Sequence, residues 1–224
     1  MQTSHPTTST RRPPDTRGAR RVAIVLSVAG ALVLAGAVHA ASQPASKTRV
    51  TVIGDSVTAS FDYIPAARNY LGKGLDLHSD AVVCRRLVVT SCPFQGSTPP
   101  TALQVIGSEG HLLGPVVVIN VGYNDWAAVY DVDRVMRALR AAGVRTVVWV
   151  TLREAGPYAS VYAQSNARIR RADKTWRNSL VLADWNRYSR GKAWFREDGL
   201  HLSATGAMGL ARFLRPLVLS GAAS

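Results

Sequence analysis

The stretch Arg49-Val50-Thr51-Val52-Ile53-Gly54-Asp55-Ser56-Val57-Thr58 decides how the rest of the chain is interpreted. Its β-branched residues predict a strand that ends at Gly54, where a glycine lets the backbone turn sharply. Ligands of open α/β sheets bind outside the carboxyl ends of the strands, so Ser56 stands where a nucleophile would be useful. Gly-Asp-Ser is equally ordinary turn chemistry, and this stretch alone leaves both interpretations open.

Composition indicates one globular domain with a basic surface. The chain has 224 residues, 47% of them hydrophobic, and a net charge of +13. Residues 1–21 contribute +4 of this charge, which leaves +9 on the remainder and favours acidic partners such as anionic lipid or wall polymer. Neither a zinc-finger spacing nor an RNA-binding aromatic motif occurs, so no nucleic-acid partner is expected.

The N-terminal region indicates export. Residues 1–21 are polar and predicted to be disordered, and residues 22–38 form an uncharged apolar run preceded by two arginines. Residues 22–40 are therefore predicted to be a cleaved signal peptide or a membrane anchor, and both alternatives stay open. Residues 41–48 are predicted to be a linker, and residues 49–218 the functional domain.

The chain contains two cysteines, Cys84 and Cys92. In an oxidising compartment, two cysteines this close in sequence predict a disulfide that closes a short loop, although two free buried thiols are the alternative. A metal site needs more ligands than this pair supplies, and neither a metal nor another cofactor is expected.

Strand and helix patterns alternate along the domain. Strands are predicted to end at residue 54 and to lie at residues 80–83, 115–121, 146–150 and 180–184. Helices are predicted at residues 59–71 (interrupted at Pro65), 101–106, 131–142, 160–176 and 204–214, the last with Ser203 as its N-cap. This alternation predicts a three-layer α/β/α domain with a parallel sheet.

Three groups of polar residues follow predicted strands or lie in the last crossover: Ser56, Asn124 and the pair Asp198 and His201. A serine needs a base to remove its proton, and an imidazole oriented by a carboxylate is suited to that task. The Asn124 amide and the Ser56 backbone N–H are candidate oxyanion donors. Taken alone, His201 could be a surface histidine and Asn124 a turn residue. The joint occurrence of Ser56, Asn124, Asp198 and His201 favours a catalytic site.

Over about residues 49–215, these blocks resemble the SGNH hydrolases, also called the GDSL esterase/lipase superfamily. The resemblance implies a flavodoxin-like fold with strand order 2-1-3-4-5. It also implies that Ser56 is the nucleophile, His201 the base, Asp198 its partner and Asn124 part of the oxyanion hole.

The second block departs from this pattern. The superfamily normally places there a glycine whose N–H completes the oxyanion hole, and this chain has Cys84-Arg85-Arg86 instead. A backbone N–H of Cys84 or Arg85 is the expected replacement, held by a bridge from Cys84 to Cys92.

Within the superfamily, the chain looks most like bacterial extracytoplasmic domains associated with O-acetylation of cell-wall glycans. We therefore expect a secreted or membrane-anchored esterase that cleaves O-acyl esters, acetyl in particular, through an acyl-serine. The first alternative is an O-acyltransferase to cell-envelope glycans that uses the same site. The second is a non-catalytic binder of anionic wall polymer.

Trp126 and Tyr123 are candidate substrate-binding residues, with core filling as the alternative for Trp126. The sequence leaves the oligomeric state open.

Overall fold

A computed structural model of the protein describes residues 46–223. Within them, five parallel strands form one sheet in the order β2-β1-β3-β4-β5. The strands are β1 (Arg49–Gly54), β2 (Asp76–Ala81), β3 (Val116–Asn120), β4 (Thr146–Val150) and β5 (Leu180–Ala183). The α/β fold and the order 2-1-3-4-5 are thereby confirmed. The predicted signal or anchor segment lies outside the described residues.

Helices cover both faces of the sheet. They are α1 (Ser60–Tyr63), α2 (Pro65–Gly72), α3 (Ala102–Glu109), α4 (Val132–Ala141), α5 (Ala159–Thr175), α6 (Trp185–Tyr188) and α7 (Ala204–Ala223). The short α6 was not predicted. Among residues 46–223, each helix is too short or too polar to cross a membrane.

The sheet separates two hydrophobic cores, because successive side chains of a strand point to opposite faces. On β3, Val116 and Val118 pack in one core with α1, α2 and α7, and Val117 and Ile119 pack in the other with α3, α4 and α5. All five residues of β3 are buried, which is why this strand reads as one continuous apolar run.

Short-range chemistry sets several helix starts. Thr101 caps α3 in a reciprocal capping box with Gln104, and Asp131 caps α4 by accepting a hydrogen bond from the Arg134 N–H at 2.9 Å. Pro65 occupies the first turn of α2, where its missing N–H costs no helix bond.

Most predicted bounds differ from the structure by a few residues, and two elements differ most. The second strand begins at Asp76 rather than Asp80, because Asp76 pairs with Arg49 at the start of β1 and Ala81 pairs with Gly54 at its end. The last helix continues past residue 214 to Ala223, although Pro216 lies inside it. Val218 and Gly221, on this extra length, are buried.

The start of α7 rests on Trp194, and this contact places the loop that carries Asp198 and His201. The Ser203 hydroxyl donates to the Trp194 carbonyl at 3.0 Å, and Ser203 also caps the helix by accepting from the Gly206 N–H at 3.1 Å. A Cβ at Gly206 would lie 2.9 Å from the Trp194 carbonyl carbon. Glycine is therefore needed here for close approach.

We expect Gly206→Ala to lower the free energy of unfolding by about 1–3 kcal/mol, since the new methyl group must push Trp194 away. Gly107→Ala is the matched control. Gly107 is an exposed helical glycine of α3 with nothing near its would-be Cβ, so alanine there should stabilise the protein by about 0.5–1 kcal/mol. Urea unfolding curves measure both, and equal effects of the two variants would contradict the contact.

Candidate active site

Ser56 lies in the turn that follows β1, at the carboxyl edge of the sheet. The turn is tight because the Thr58 side chain folds back over Gly54, where an added Cβ would overlap it. The Thr58 hydroxyl donates to the Asn120 carbonyl at the end of β3, 3.2 Å away. The glycine before the serine therefore makes room for a contact that ties the turn to the neighbouring strand.

Ser56, His201 and Asp198 form a hydrogen-bonded chain. His201 Nε2 lies 2.9 Å from Ser56 Oγ, and His201 Nδ1 lies 2.6 Å from Asp198 Oδ2. The other Asp198 oxygen accepts the backbone N–H groups of Leu200 and His201 at 2.8 and 2.9 Å. Three residues that the sequence places up to 145 positions apart thus meet in one site.

Asp198 is held in its ionised form. Partial burial alone would raise its pKa, but the hydrogen bonds from Leu200 and His201 outweigh that effect, and the pKa of Asp198 is lowered. An ionised carboxylate only accepts hydrogen bonds, so the proton of the neutral imidazole lies on Nδ1. Nε2 is then free to take the proton of Ser56.

Asp55 connects the turn carrying Ser56 with the loop that follows β3. Its Oδ2 accepts the N–H groups of Gly122 and Tyr123, each at 3.0 Å, and its Oδ1 accepts that of Val57 at 3.1 Å. Complete burial raises the pKa of Asp55 to about 6, against the effect of these three hydrogen bonds. Sequence analysis gave Asp55 no role, although its place in Gly-Asp-Ser was the available signal.

The candidate oxyanion donors lie in the segments that follow β1, β2 and β3. The Asn124 amide donates one hydrogen bond to the Arg85 carbonyl at 3.3 Å, which leaves its second N–H available. In the described part of the chain, the backbone N–H groups of Ser56 and Cys84 donate to no protein acceptor. The Arg85 N–H, in contrast, donates to the Val82 carbonyl at 3.2 Å. Of the two predicted replacements for the glycine, Cys84 is the one whose N–H remains free.

Cys84 also has the backbone conformation that favours a glycine. Its φ is +68°, in the left-handed region that residues with a side chain rarely occupy. The predicted disulfide between Cys84 and Cys92 is present, and the Cys92 N–H donates to the Cys84 carbonyl at 3.3 Å. The disulfide thus closes the loop at the residue whose backbone conformation usually requires glycine.

The Arg85 side chain is structural. Its buried guanidinium pairs with Asp80 Oδ1 at 2.9 Å and donates to the carbonyls of Asp80 and Pro100. These bonds fix the backbone on both sides of the disulfide loop. Arg85 thus contributes to the site by holding its own carbonyl against the Asn124 amide.

A cavity of about 200 Å³ opens beside Asn124. Trp126 lies in its wall as a largely exposed side chain, so the interpretation of Trp126 as core filler is wrong. Tyr123 also lines it, but the Tyr123 hydroxyl already accepts the Arg153 N–H at 2.7 Å. The structure adds Arg86 and Tyr158, which sequence reasoning missed because no local motif marks them.

No cluster of three or more metal-ligating side chains occurs within residues 46–223.

Comparison with known proteins rests on structure. No protein-family model and no curated protein sequence matches this chain. The C-terminal catalytic domain of Streptococcus pneumoniae peptidoglycan O-acetyltransferase A superposes with a TM-score of 0.59 at 19% identity, covering 80% of this chain and 96% of that one. A carbohydrate acetylesterase family member from Sinorhizobium meliloti gives 0.57 at 18% identity, covering 78% and 100%.

A protein from Slackia heliotrinireducens, described as an SGNH hydrolase, gives a TM-score of 0.50 at 16% identity and covers 76% of this chain and 98% of its own. The fold is that of the SGNH hydrolases. In this SGNH fold, Ser56 follows the first strand of the sheet, as the sequence resemblance implies.

We expect Asn124→Ala to lower kcat for ester cleavage by about 10²–10³, the usual effect of removing one oxyanion donor. KM should change little, because the bond strengthens only as charge develops on the substrate oxygen. Asn124→Asp should be at least as damaging, since a carboxylate repels the oxyanion. Steady-state kinetics on folded variants measure this, and a loss below about tenfold would exclude the role.

A second expectation concerns pH. The pKa of Asp55 is about 6 in the folded protein and near 3.8 when unfolded, so between these values the folded state binds more protons and stability falls as pH rises. A difference of about 2 in pKa corresponds to about 3 kcal/mol.

In Asp55→Asn, the part of this fall between pH 4 and pH 6 should disappear. Asp125, whose pKa burial raises to about 7, still titrates in the variant, and its pKa should be somewhat lower there because the charge of Asp55 contributes to raising it. Urea unfolding at several pH values measures the dependence. Parallel curves for the two proteins would show that Asp55 is not the titrating group.

Proposed function

We propose that this domain is an SGNH-type serine esterase that cleaves O-acyl esters, acetyl esters in particular, through an acyl-serine intermediate. The observation that carries the proposal is the hydrogen-bonded chain from Ser56 Oγ through His201 to Asp198, at 2.9 and 2.6 Å. Nucleophile, base and orienting carboxylate are the parts that acyl transfer requires.

In the first half-reaction, Ser56 Oγ attacks the ester carbonyl carbon while His201 Nε2 takes its proton. The negative charge that develops on the carbonyl oxygen is stabilised by the N–H groups of Ser56 and Cys84 and by the free amide hydrogen of Asn124. His201 then returns the proton to the departing alcohol oxygen. The carbon–oxygen bond to the alcohol breaks, and the acyl group stays on Ser56.

In the second half-reaction, an acceptor hydroxyl attacks the acyl-serine, and His201 again removes the proton. The site is open, since the His201 and Asp198 side chains are 38% and 46% exposed. Water therefore reaches the acyl-serine in this conformation, which supports hydrolysis as the reaction. Transfer to a sugar hydroxyl would require that water be excluded from the same intermediate.

The disulfide supports an extracytoplasmic location. Structural disulfides persist in oxidising compartments, and Cys84–Cys92 closes the loop that borders the active site. The apolar run at residues 22–38 supports the same location, as a signal or an anchor. We propose that the enzyme acts outside the cytoplasmic membrane on an acyl ester of the cell envelope. The steps above use only side chains and backbone groups of the protein.

The decisive test is covalent labelling. After exposure to an activated acetyl ester, intact-protein mass spectrometry should find one acetyl group per chain, located on Ser56. Ser56→Ala should lose both the label and ester turnover, because Ser56 Oγ is the hydroxyl that His201 Nε2 contacts. Ser160→Ala, which removes an exposed hydroxyl at the start of α5, is the matched control and should behave as wild type.

Label at another residue in folded Ser56→Ala would overturn the assignment. A wild-type protein that neither labels nor turns over esters, yet binds an anionic wall polymer, would support the non-catalytic alternative. Release of acetyl groups to an added glycan rather than to water would identify an acyltransferase.

A further inference from the structure

Two exposed aromatic side chains stand at the cavity beside Asn124. Trp126 is 58% exposed and Tyr158 is 51% exposed, and their rings meet edge to face with centroids 6.3 Å apart. Exposed apolar surface next to a cavity is typical of a ligand-binding site. Their flat apolar faces suit a ligand with a flat apolar face of its own.

Polar side chains also line the same cavity. Arg86 is held by two hydrogen bonds, from Nε to the Asn124 carbonyl at 2.8 Å and from Nη1 to the Thr90 carbonyl at 3.2 Å. Within the described residues, its Nη2 donates to no protein acceptor. Asp125 also lines the cavity, and both its oxygens share one donor, the Leu87 N–H. The cavity therefore offers an unused donor and unused acceptor capacity.

This combination distinguishes between ligand classes. An alkyl chain would cover the aromatic faces but would also strip water from Arg86 and Asp125 without replacing its hydrogen bonds, which is unfavourable. A pyranose ring has an apolar C–H face and a rim of hydroxyl groups that both donate and accept. It can satisfy the rings and the polar groups together.

We infer that this cavity is the subsite for a pyranose ring that carries the ester, with the Trp126 indole against the ring face, Tyr158 beside it at a right angle, and Arg86 and Asp125 on its hydroxyls. The inference rests on the proposed esterase function and narrows its substrate to sugar esters. Asn124 makes the connection to the reaction: its side chain lines the cavity and is a candidate oxyanion donor, and its carbonyl accepts the hydrogen bond from Arg86. A ring in the cavity thus lies next to the reacting carbonyl.

The test compares two acetyl esters that differ only in the alcohol. One is a methyl glucopyranoside acetylated on its primary hydroxyl, and the other is ethyl acetate. In Trp126→Ala and in Tyr158→Ala, the ratio of kcat/KM for the sugar ester to that for ethyl acetate should fall by about tenfold, mainly through KM.

The matched control is Tyr70→Ala. Tyr70 is 42% exposed and lies near the end of α2, which runs back toward the amino ends of the strands and so away from the site. This variant should keep the wild-type ratio. An unchanged ratio in Trp126→Ala would overturn the inference. A second outcome would also overturn it. If Trp126→Ala lost activity on para-nitrophenyl hexanoate but kept it on para-nitrophenyl acetate, the cavity would be an acyl-chain site.

A binding measurement separates failure of the subsite from failure of the proposed function. Ser56→Ala, which cannot form an acyl-enzyme, is mixed with methyl glucopyranoside and observed by saturation-transfer NMR. The signal should be present in Ser56→Ala and lost when Trp126→Ala is added. If the wild type cleaves no ester but this signal behaves as expected, the subsite stands and the esterase proposal fails. Absence of the signal from Ser56→Ala would overturn the subsite.

Discussion

The buried carboxylate of Asp55 is the interaction on which the site depends. It accepts N–H groups from Val57, beside Ser56, and from Gly122 and Tyr123, just before Asn124. Backbone N–H groups buried at a sheet edge need acceptors, and one carboxylate supplies three of them. Burial raises the pKa of Asp55 to about 6, so the charge is held at a cost in stability. In return, the three hydrogen bonds of Asp55 hold the loop that carries Ser56 against the loop that carries Asn124.

The loop closed by Cys84 and Cys92 also positions Asn124. Where the SGNH resemblance implies a glycine, Cys84 takes the left-handed conformation with φ +68° and is joined to Cys92. The next two residues then act through different atoms: the Arg85 carbonyl accepts from the Asn124 amide, and the Arg86 guanidinium donates to the Asn124 carbonyl. One short loop therefore orients the candidate oxyanion donor Asn124 and forms part of the proposed sugar subsite.

The fold was predictable where burial is uniform and less so at the edges of the sheet. β3 and β4 are buried at every position, so their apolar runs mark them in the sequence. β2 is an edge strand with Asp76, His78 and Asp80 along it, and its start is set by pairing with β1 rather than by its own pattern. The end of α7 was missed because a proline ordinarily stops a helix, whereas here residues beyond Pro216 are still buried.

The sequence by itself determined the fold class, the strand order through its resemblance to SGNH hydrolases, and the candidates Ser56, Asn124, Asp198 and His201. These are marked by short motifs at strand ends, where backbone turns and polar residues leave a local signature. Only the tertiary structure decided that Cys84 rather than Arg85 has the free N–H, and that Arg86 and Tyr158 share a cavity with Trp126. Such contacts join residues far apart in the chain, and which of them meet depends on how the loops of neighbouring strands pack, a property that no local pattern records.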